Sequence, residues 1–414
     1  MNAKYGLLLA FFVSSYSISL SAATWKVFFY IDSSDSLSDM AIKNITDMVR
    51  GKPGDNIEWL IQLHAYHKAG LRYKVTNQGL LFLEEVTLTG SSKQDFIDAA
   101  SWAFAQVNAD HTMLILANHG WGILDPHWNE ETQKWEVGSD ALSNSCMVKR
   151  SSWQKMHEHH RGFMFSTTPR TYLTSQDLTD SVLYIKNHLL HGTKLDIIAF
   201  DTCMGAMLEI AYQLAPSAQY LFGVQSCSLT DGFDYQGVMA ALNQGLSPRD
   251  LVHSMVKSCD AYFAPRDESG VYTHTALDLS YAAPIVKALD VVVNNLLAEP
   301  ELAPSMSKAH DSTPRFCMWP MYTDLIAFCK ALEEEAKASG LVLSVELQQS
   351  LQRLYDLTQS CVVARCGGHT TTGLAHGYAI YLPAATIDES YHTTQFVKES
   401  NWITLLKYMC ELAK

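Results

Sequence analysis

The sequence predicts an α/β fold, a mainly parallel sheet with helices on both faces. Three observations predict it. Apolar runs of strand length recur at residues 25–31, 57–63, 113–118, 195–200 and 220–225. Segments of helical period alternate with them. The composition, 48% hydrophobic and 18% charged, is that of a globular chain able to bury a sizeable core.

The elements follow in order. The first strand (WKVFFYI) ends at Asp32-Ser33-Ser34-Asp35, and a helix with Leu37, Ala41, Ile45 and Met48 on one face comes next. Lys52-Pro53-Gly54-Asp55-Asn56 is a turn into the second strand. Residues 71–76 and 80–86, parted by Asn77-Gln78-Gly79, read as a β-hairpin. Residues 95–107 read as a helix with Ile97, Ala100, Phe104 and Val107 inward, and the run at 113–118 then delivers His119.

Residues 123–170 break the rhythm with Pro126, Trp128, Trp135, Trp153, the Lys149-Arg150 pair and a His157-Glu158-His159-His160 cluster. This is a long loop or an inserted subdomain. The histidines lack the HExxH spacing that puts two ligands on one helical face, so the cluster reads as a solvated loop. Alternation resumes with a helix from about Ser175 (Leu178, Val182, Ile185, Leu189) and the strand at 195–200. A helix burying Met204, Met207, Leu208 and Ala211 is expected right after Cys203, then the strand at 220–225. Beyond about Ala282 the chain reads as largely helical, with a late strand at 377–383.

The 414 residues suit one large α/β unit with additions or two packed subdomains. The division expected is a signal peptide at 1–23, a catalytic core at 24–281 and a helical portion at 282–414 packed on that core. Lys4, the apolar stretch 6–13 and Ser21-Ala22-Ala23 have the layout of a secretory signal. That apolar stretch is too short to span a membrane comfortably, and no cysteine lies near the cut. A mature chain starting near Ala23 or Thr24, secreted or periplasmic and without a stable membrane anchor, is expected. The formal charge of −13 argues against nucleic acid as a partner and favours cationic partners or metal ions. Nine cysteines leave at least one unpaired if pairing is intramolecular, and Cys203 is the natural candidate.

Catalytic groups in such sheets gather where strands end. One apolar run ends in His119-Gly120 and another in Asp201 and Cys203. A thiol and an imidazole on two rigid mounts are what a cysteine nucleophile needs. It attacks as thiolate and requires a lowered pKa. A helix N-terminus at Cys203 would favour the anion. The N–H groups there, with that of Gly120, would hold an oxyanion. His119 would act as base and then as acid to the leaving amine. Read from the residues alone, a buried small hydrophobe at Cys203 and a satisfied core histidine at His119 stand equally open.

Blocks across the chain from Trp25 onward carry a resemblance: WKVFFYIDSSDSL, LILANHGWG, AFDTCMGAMLEIAYQL, FGVQSCSLTDGFDY, YTHTALDLS, GLAHGYAIYLP and the segment at Trp402. In order and spacing they resemble the clostripain family of cysteine peptidases, within the caspase-like and gingipain-like clan. The resemblance implies a caspase-like α/β sandwich, a His119–Cys203 dyad, and protein or peptide substrates cut after arginine or lysine. It matches Asp201 and Asp231 to an acidic S1 pocket, where a buried cation requires a partner. The alternatives are a carboxylate capping the Cys203 helix for Asp201 and an ordinary turn residue for Asp231, with Asp234 close by.

Family members are made as zymogens cut between histidine and cysteine. That points to Lys149-Arg150, with Lys134, Lys155, Arg161 and Arg170 also in the segment. Cys227 stands where relatives often carry an acid after the Gln-Ser pair. The chemistry itself needs no cofactor; some relatives need calcium, so the resemblance makes calcium possible here, but no loop has a calcium-ligand pattern and no metal ligands are assigned. A monomer is expected. The rival readings are a non-catalytic binding protein on the same scaffold and a cysteine hydrolase of non-peptide amides.

Overall fold

The computed structural model describes residues 24–32, 37–65, 69–90, 92–125, 127–129, 134–136, 163–167, 170–229, 231–316 and 320–413. In chain order its strands are β1 (Trp25–Asp32), β2 (Ile57–Ala65), β3 (Ala69–Thr76), β4 (Gly79–Thr87), β5 (His111–Ala117), β6 (His127–Asn129), β7 (Lys134–Glu136), β8 (Phe163–Thr167) and β9 (Arg170–Leu173). There follow β10 (Leu195–Asp201), β11 (Ala218–Gly223), β12 (Thr273–Asp278), β13 (Tyr322–Asp324), β14 (Val362–Gly367) and β15 (Ala379–Tyr381).

Nine strands form the main sheet in the order β14-β12-β11-β10-β5-β1-β2-β3-β4. The middle, β11-β10-β5-β1-β2, is parallel, and each flank is antiparallel. The central strands read as unbroken apolar runs because both faces are covered. Along β1, Val27, Phe29 and Ile31 face one core with Ile115 and Ala199, while Phe28 and Tyr30 face another with Leu116 and Phe200. The first core is capped by the helices Ser38–Gly51, Tyr235–Asn243 and Pro248–Phe263. The second is capped by Lys93–Ala103, Ser175–Tyr184, Leu208–Leu214 and Ala282–Ala298. The expected α/β sheet with helices on both faces is the fold observed.

Some elements differ from expectation. The helix expected at 95–107 is Lys93–Ala103: the Ser92 side chain accepts the Asp95 N–H and starts it early. Its buried face is then Phe96, Ala99, Ala100 and Ala103, with Ile97 only half-buried. Beyond 282 the chain is mostly helical, and its late strand is β15, paired with β13 rather than with the main sheet. That same region also supplies β14, the antiparallel edge of the main sheet. Leu279–Ala298 is long and apolar enough to cross a membrane by length and composition. In the fold its residues Ile285, Leu289, Val292 and Leu296 are core.

Two hairpins, β6–β7 and β8–β9, are described within the segment between His119 and Cys203. Lys149, Arg150, Lys155, Arg161, the His157–His160 cluster and the signal segment lie outside the described residues.

Candidate active site

β5 and β10 are neighbours in the parallel sheet, and Ala117 pairs with Asp201. His119 and Cys203 each lie two residues beyond that pair, so the register alone puts them at one end of the sheet. The following glycine brings their loops into main-chain contact. A Cβ at Gly120 would lie 2.2 Å from the Cys203 carbonyl oxygen and 2.8 Å from Thr202 Oγ1. Only glycine permits that approach.

Cys203 does not stand at a helix N-terminus, contrary to expectation. Residues 202–206 form a tight turn, and the helix begins only at Leu208. Met204, Met207, Leu208 and Ala211 are all buried, which mimics helical spacing, but Met204 packs from the turn and Met207 is the residue that precedes the helix. Met204 holds φ at 56°, a left-handed conformation that side chains rarely adopt. The turn is lashed to the exit of β11 by Met204 N–H to the Ser226 carbonyl and Ala206 N–H to the Val224 carbonyl, both at 2.9 Å.

Cys203 is a free, half-buried thiol. Its sulfur accepts the Ser228 N–H at 3.3 Å, and the N–H groups of Gly120 and of Cys203 itself also point to it. Desolvation nonetheless pushes the thiol up to about 11, and the nearby Asp201 charge adds to the rise. In this conformation the group is a neutral thiol, not the acidified one expected. Cys259, Cys329 and Cys361 are buried free thiols as well, and Cys227 is disulfide-bonded.

His119 is half-buried, and its N–H donates to Asn118 Oδ1 at 2.5 Å. Asp201 is buried; its Oδ2 accepts the Tyr235 hydroxyl at 2.7 Å and the Phe233 N–H at 3.3 Å, while Oδ1 accepts Ser228 Oγ at 3.5 Å. Burial raises it to about 6 against those bonds. It does not cap the Leu208–Leu214 helix, where Met207 is the cap and supplies no side-chain bond. Asp231 is half-buried with its Oδ2 accepting the Tyr262 hydroxyl at 3.1 Å, and Lys43 Nζ donates to its carbonyl at 3.3 Å. Asp234 separates from it by role, capping the Tyr235–Asn243 helix. Between them Gly232, at φ 69°, lies against Asp201: a Cβ there would sit 2.7 Å from Oδ2. One turn, 231–235, thus joins the two acidic candidates. Among the described residues no group of three or more His, Cys, Asp or Glu side chains is placed to hold a metal ion.

Sequence reading missed Asn118, Ser228 and Tyr235. The first adjoins His119 and was there to be found; the other two depend on how the loop after β11 folds back.

The clostripain family model matches residues 150–409. The chain belongs to the clostripain family. That makes it a cysteine-type peptidase, and the match includes Cys203. Solved clostripain-type structures share its caspase-like architecture. A secreted C11 cysteine protease from Bacteroides thetaiotaomicron in complex with an irreversible peptide inhibitor is 14% identical, aligned over 93% of this chain and 99% of its own, with a TM-score of 0.65. A second structure from that organism, described as a secreted C11 cysteine protease named iotapain, is 13% identical over 91% and 99%, with a TM-score of 0.67. An inactive zymogen C11 protease from Parabacteroides distasonis is 14% identical over 92% and 99%, with a TM-score of 0.59. No curated protein sequence matches.

Proposed function

We propose that the protein is an exported clostripain-type endopeptidase that cleaves after arginine or lysine through Cys203 and His119. The observation that carries this is the register: two strand ends carry imidazole and thiol at the same offset, with Gly120 against the Cys203 carbonyl.

Cys203 Sγ forms the bond to the scissile carbonyl carbon as His119 takes the thiol proton. The N–H groups of Gly120 and Cys203 receive the negative oxygen. His119 returns the proton to the departing amine, leaving a thioester. Water, deprotonated by the same imidazole, then releases the acid and restores the thiol.

Asp231 and Asp201 hold the P1 cation in this reading. The Asp201 carboxylate already accepts three donors, whereas the half-buried Asp231 carboxylate has room for a guanidinium or ammonium. The neutral thiol fits a chain awaiting cleavage between His119 and Cys203, at Lys149-Arg150 on this reading. Two similar structures are described as secreted proteases, and one as a zymogen, which supports export and processing here. The presence of both His119 and Cys203 at these strand ends speaks against the non-catalytic reading.

A peptide probe with an arginine warhead should label the processed protein and not Cys203→Ser. Absence of labelling after processing would overturn the assignment. Asp231→Ala should lose arginine cleavage by at least tenfold, since it removes a charge-assisted partner worth roughly 1.5–3 kcal/mol; unchanged cleavage would place S1 elsewhere. An intact mass after incubation reads both export processing and self-cleavage.

A further inference from the structure

Beside the dyad, the ends of β1 and β2 hold a buried polar cluster that the chemistry above does not use. Asp32 and Gln62 are 0% exposed, His64 3% and Arg72 9%. Burying such groups is costly unless each is bonded, so their arrangement carries information.

It reads in one direction. Arg72 has only donors, and its Nε gives a hydrogen bond to Gln62 Oε1 at 2.9 Å. That fixes the amide, so Gln62 Nε2 is the end facing His64 Nε2, at 3.4 Å. An amide NH2 only donates; His64 Nε2 is therefore bare, and the ring proton sits on Nδ1. Nδ1 faces Asp32 Oδ2 at 3.4 Å. The Asp32 carbonyl in turn accepts Asn118 Nδ2 at 2.7 Å, and Asn118 Oδ1 accepts the His119 N–H. At the far end Arg72 is held by Glu84 Oε1 at 2.7 Å and stacks over Trp102 at 4.7 Å.

We infer that Arg72, Gln62, His64, Asp32 and Asn118 form a positioning relay that sets the placement of the proposed base, His119. The inference rests on the function proposed above. Its physical need is plain: His119 lies beyond the last paired residue of β5, and a misplacement of about 1 Å costs on the order of 100-fold in rate. All five are buried, so they act through the His119 main chain.

Two readouts test the relay. In selectively 15N-histidine-labelled wild type, the His64 signal, assigned by its loss in His64→Gln, should report the Nδ1–H tautomer. Gln62→Glu is isosteric but only accepts, so it should drive a proton onto His64 Nε2. In kinetics on an arginyl peptide, Gln62→Glu and Asn118→Ala should lower kcat roughly 10- to 100-fold with KM unchanged.

An Nε2–H tautomer in the wild type overturns the relay, and so does an unchanged kcat, or a rise in KM alone, in folded variants. A wild type that cuts no arginyl or lysyl peptide sinks the specificity reading instead. The relay is then decided by the His64 tautomer and its change in Gln62→Glu, which need no turnover.

Discussion

At Cys203 three main-chain N–H groups favour the thiolate and burial opposes it, and burial wins. The consequence is measurable. In the unprocessed chain the rate of Cys203 alkylation by iodoacetamide should climb with pH toward about 11 and be slow at pH 7. On the proposed activation, cleavage opens the loops and relieves the desolvation while the N–H donors stay, so the processed chain should alkylate at pH 7 at least tenfold faster, one decade per pKa unit recovered. A midpoint near 7 in the unprocessed chain would show that burial does not control the thiol. At this scale His119 and Cys203 were legible because each follows an apolar run, whose end is where a sheet presents side chains. The state of the thiol was not, because it depends on Ser228, a residue from a different loop that no local pattern ties to Cys203.

The same limit operates at the scale of elements. Met204, Met207, Leu208 and Ala211 have helical spacing, yet the first two lie before the helix starts, and spacing alone cannot tell a turn from a helix. The central strands were legible for the opposite reason: covered on both faces, they are apolar throughout. β12 and β14 escaped because they are flank strands carrying polar residues such as His274 and Arg365. The turn 231–235 is the element on which the proposed specificity rests, and Gly232 is its left-handed residue. Gly232→Ala would need a left-handed backbone and would press a methyl against Asn44 and Asp201. The expected result is a loss of roughly 1–2 kcal/mol in stability and a raised KM for arginyl peptides, read from thermal melts and initial rates. A normal KM with a normal melting temperature would mean that the turn carries neither acid into the substrate site.

On the scale of the whole molecule, one apolar core runs from Phe28 to Met409, and the segment after 282 is stitched directly behind the Cys203 turn. Ala379 N–H donates to the Ala206 carbonyl, and Met207 bridges to Ala379. Glu209, fully buried at this seam, accepts the Tyr381 N–H at 2.8 Å and the Tyr391 hydroxyl at 3.1 Å on Oε1. Its Oε2 has no hydrogen-bond partner among the described residues. Burial raises this carboxyl from 4.5 to about 7, only partly countered by those bonds. A raised folded-state pKa means that the folded chain binds the proton more tightly than the unfolded one. The stability it contributes is therefore full below about 4.5 and is lost as pH rises through about 7, a change of roughly 3 kcal/mol at most. Asp201, raised to about 6, pushes in the same direction. Stability should thus fall between pH 5 and 8 in the wild type. Glu209→Gln keeps an acceptor for Tyr381 and Tyr391 and cannot ionise, so its melting temperature should exceed the wild type's at pH 8 and not at pH 5. If both proteins melt alike at the two pH values, Glu209 does not hold its proton in the folded chain, and the join between the Cys203 turn and the C-terminal portion is not sensitive to pH.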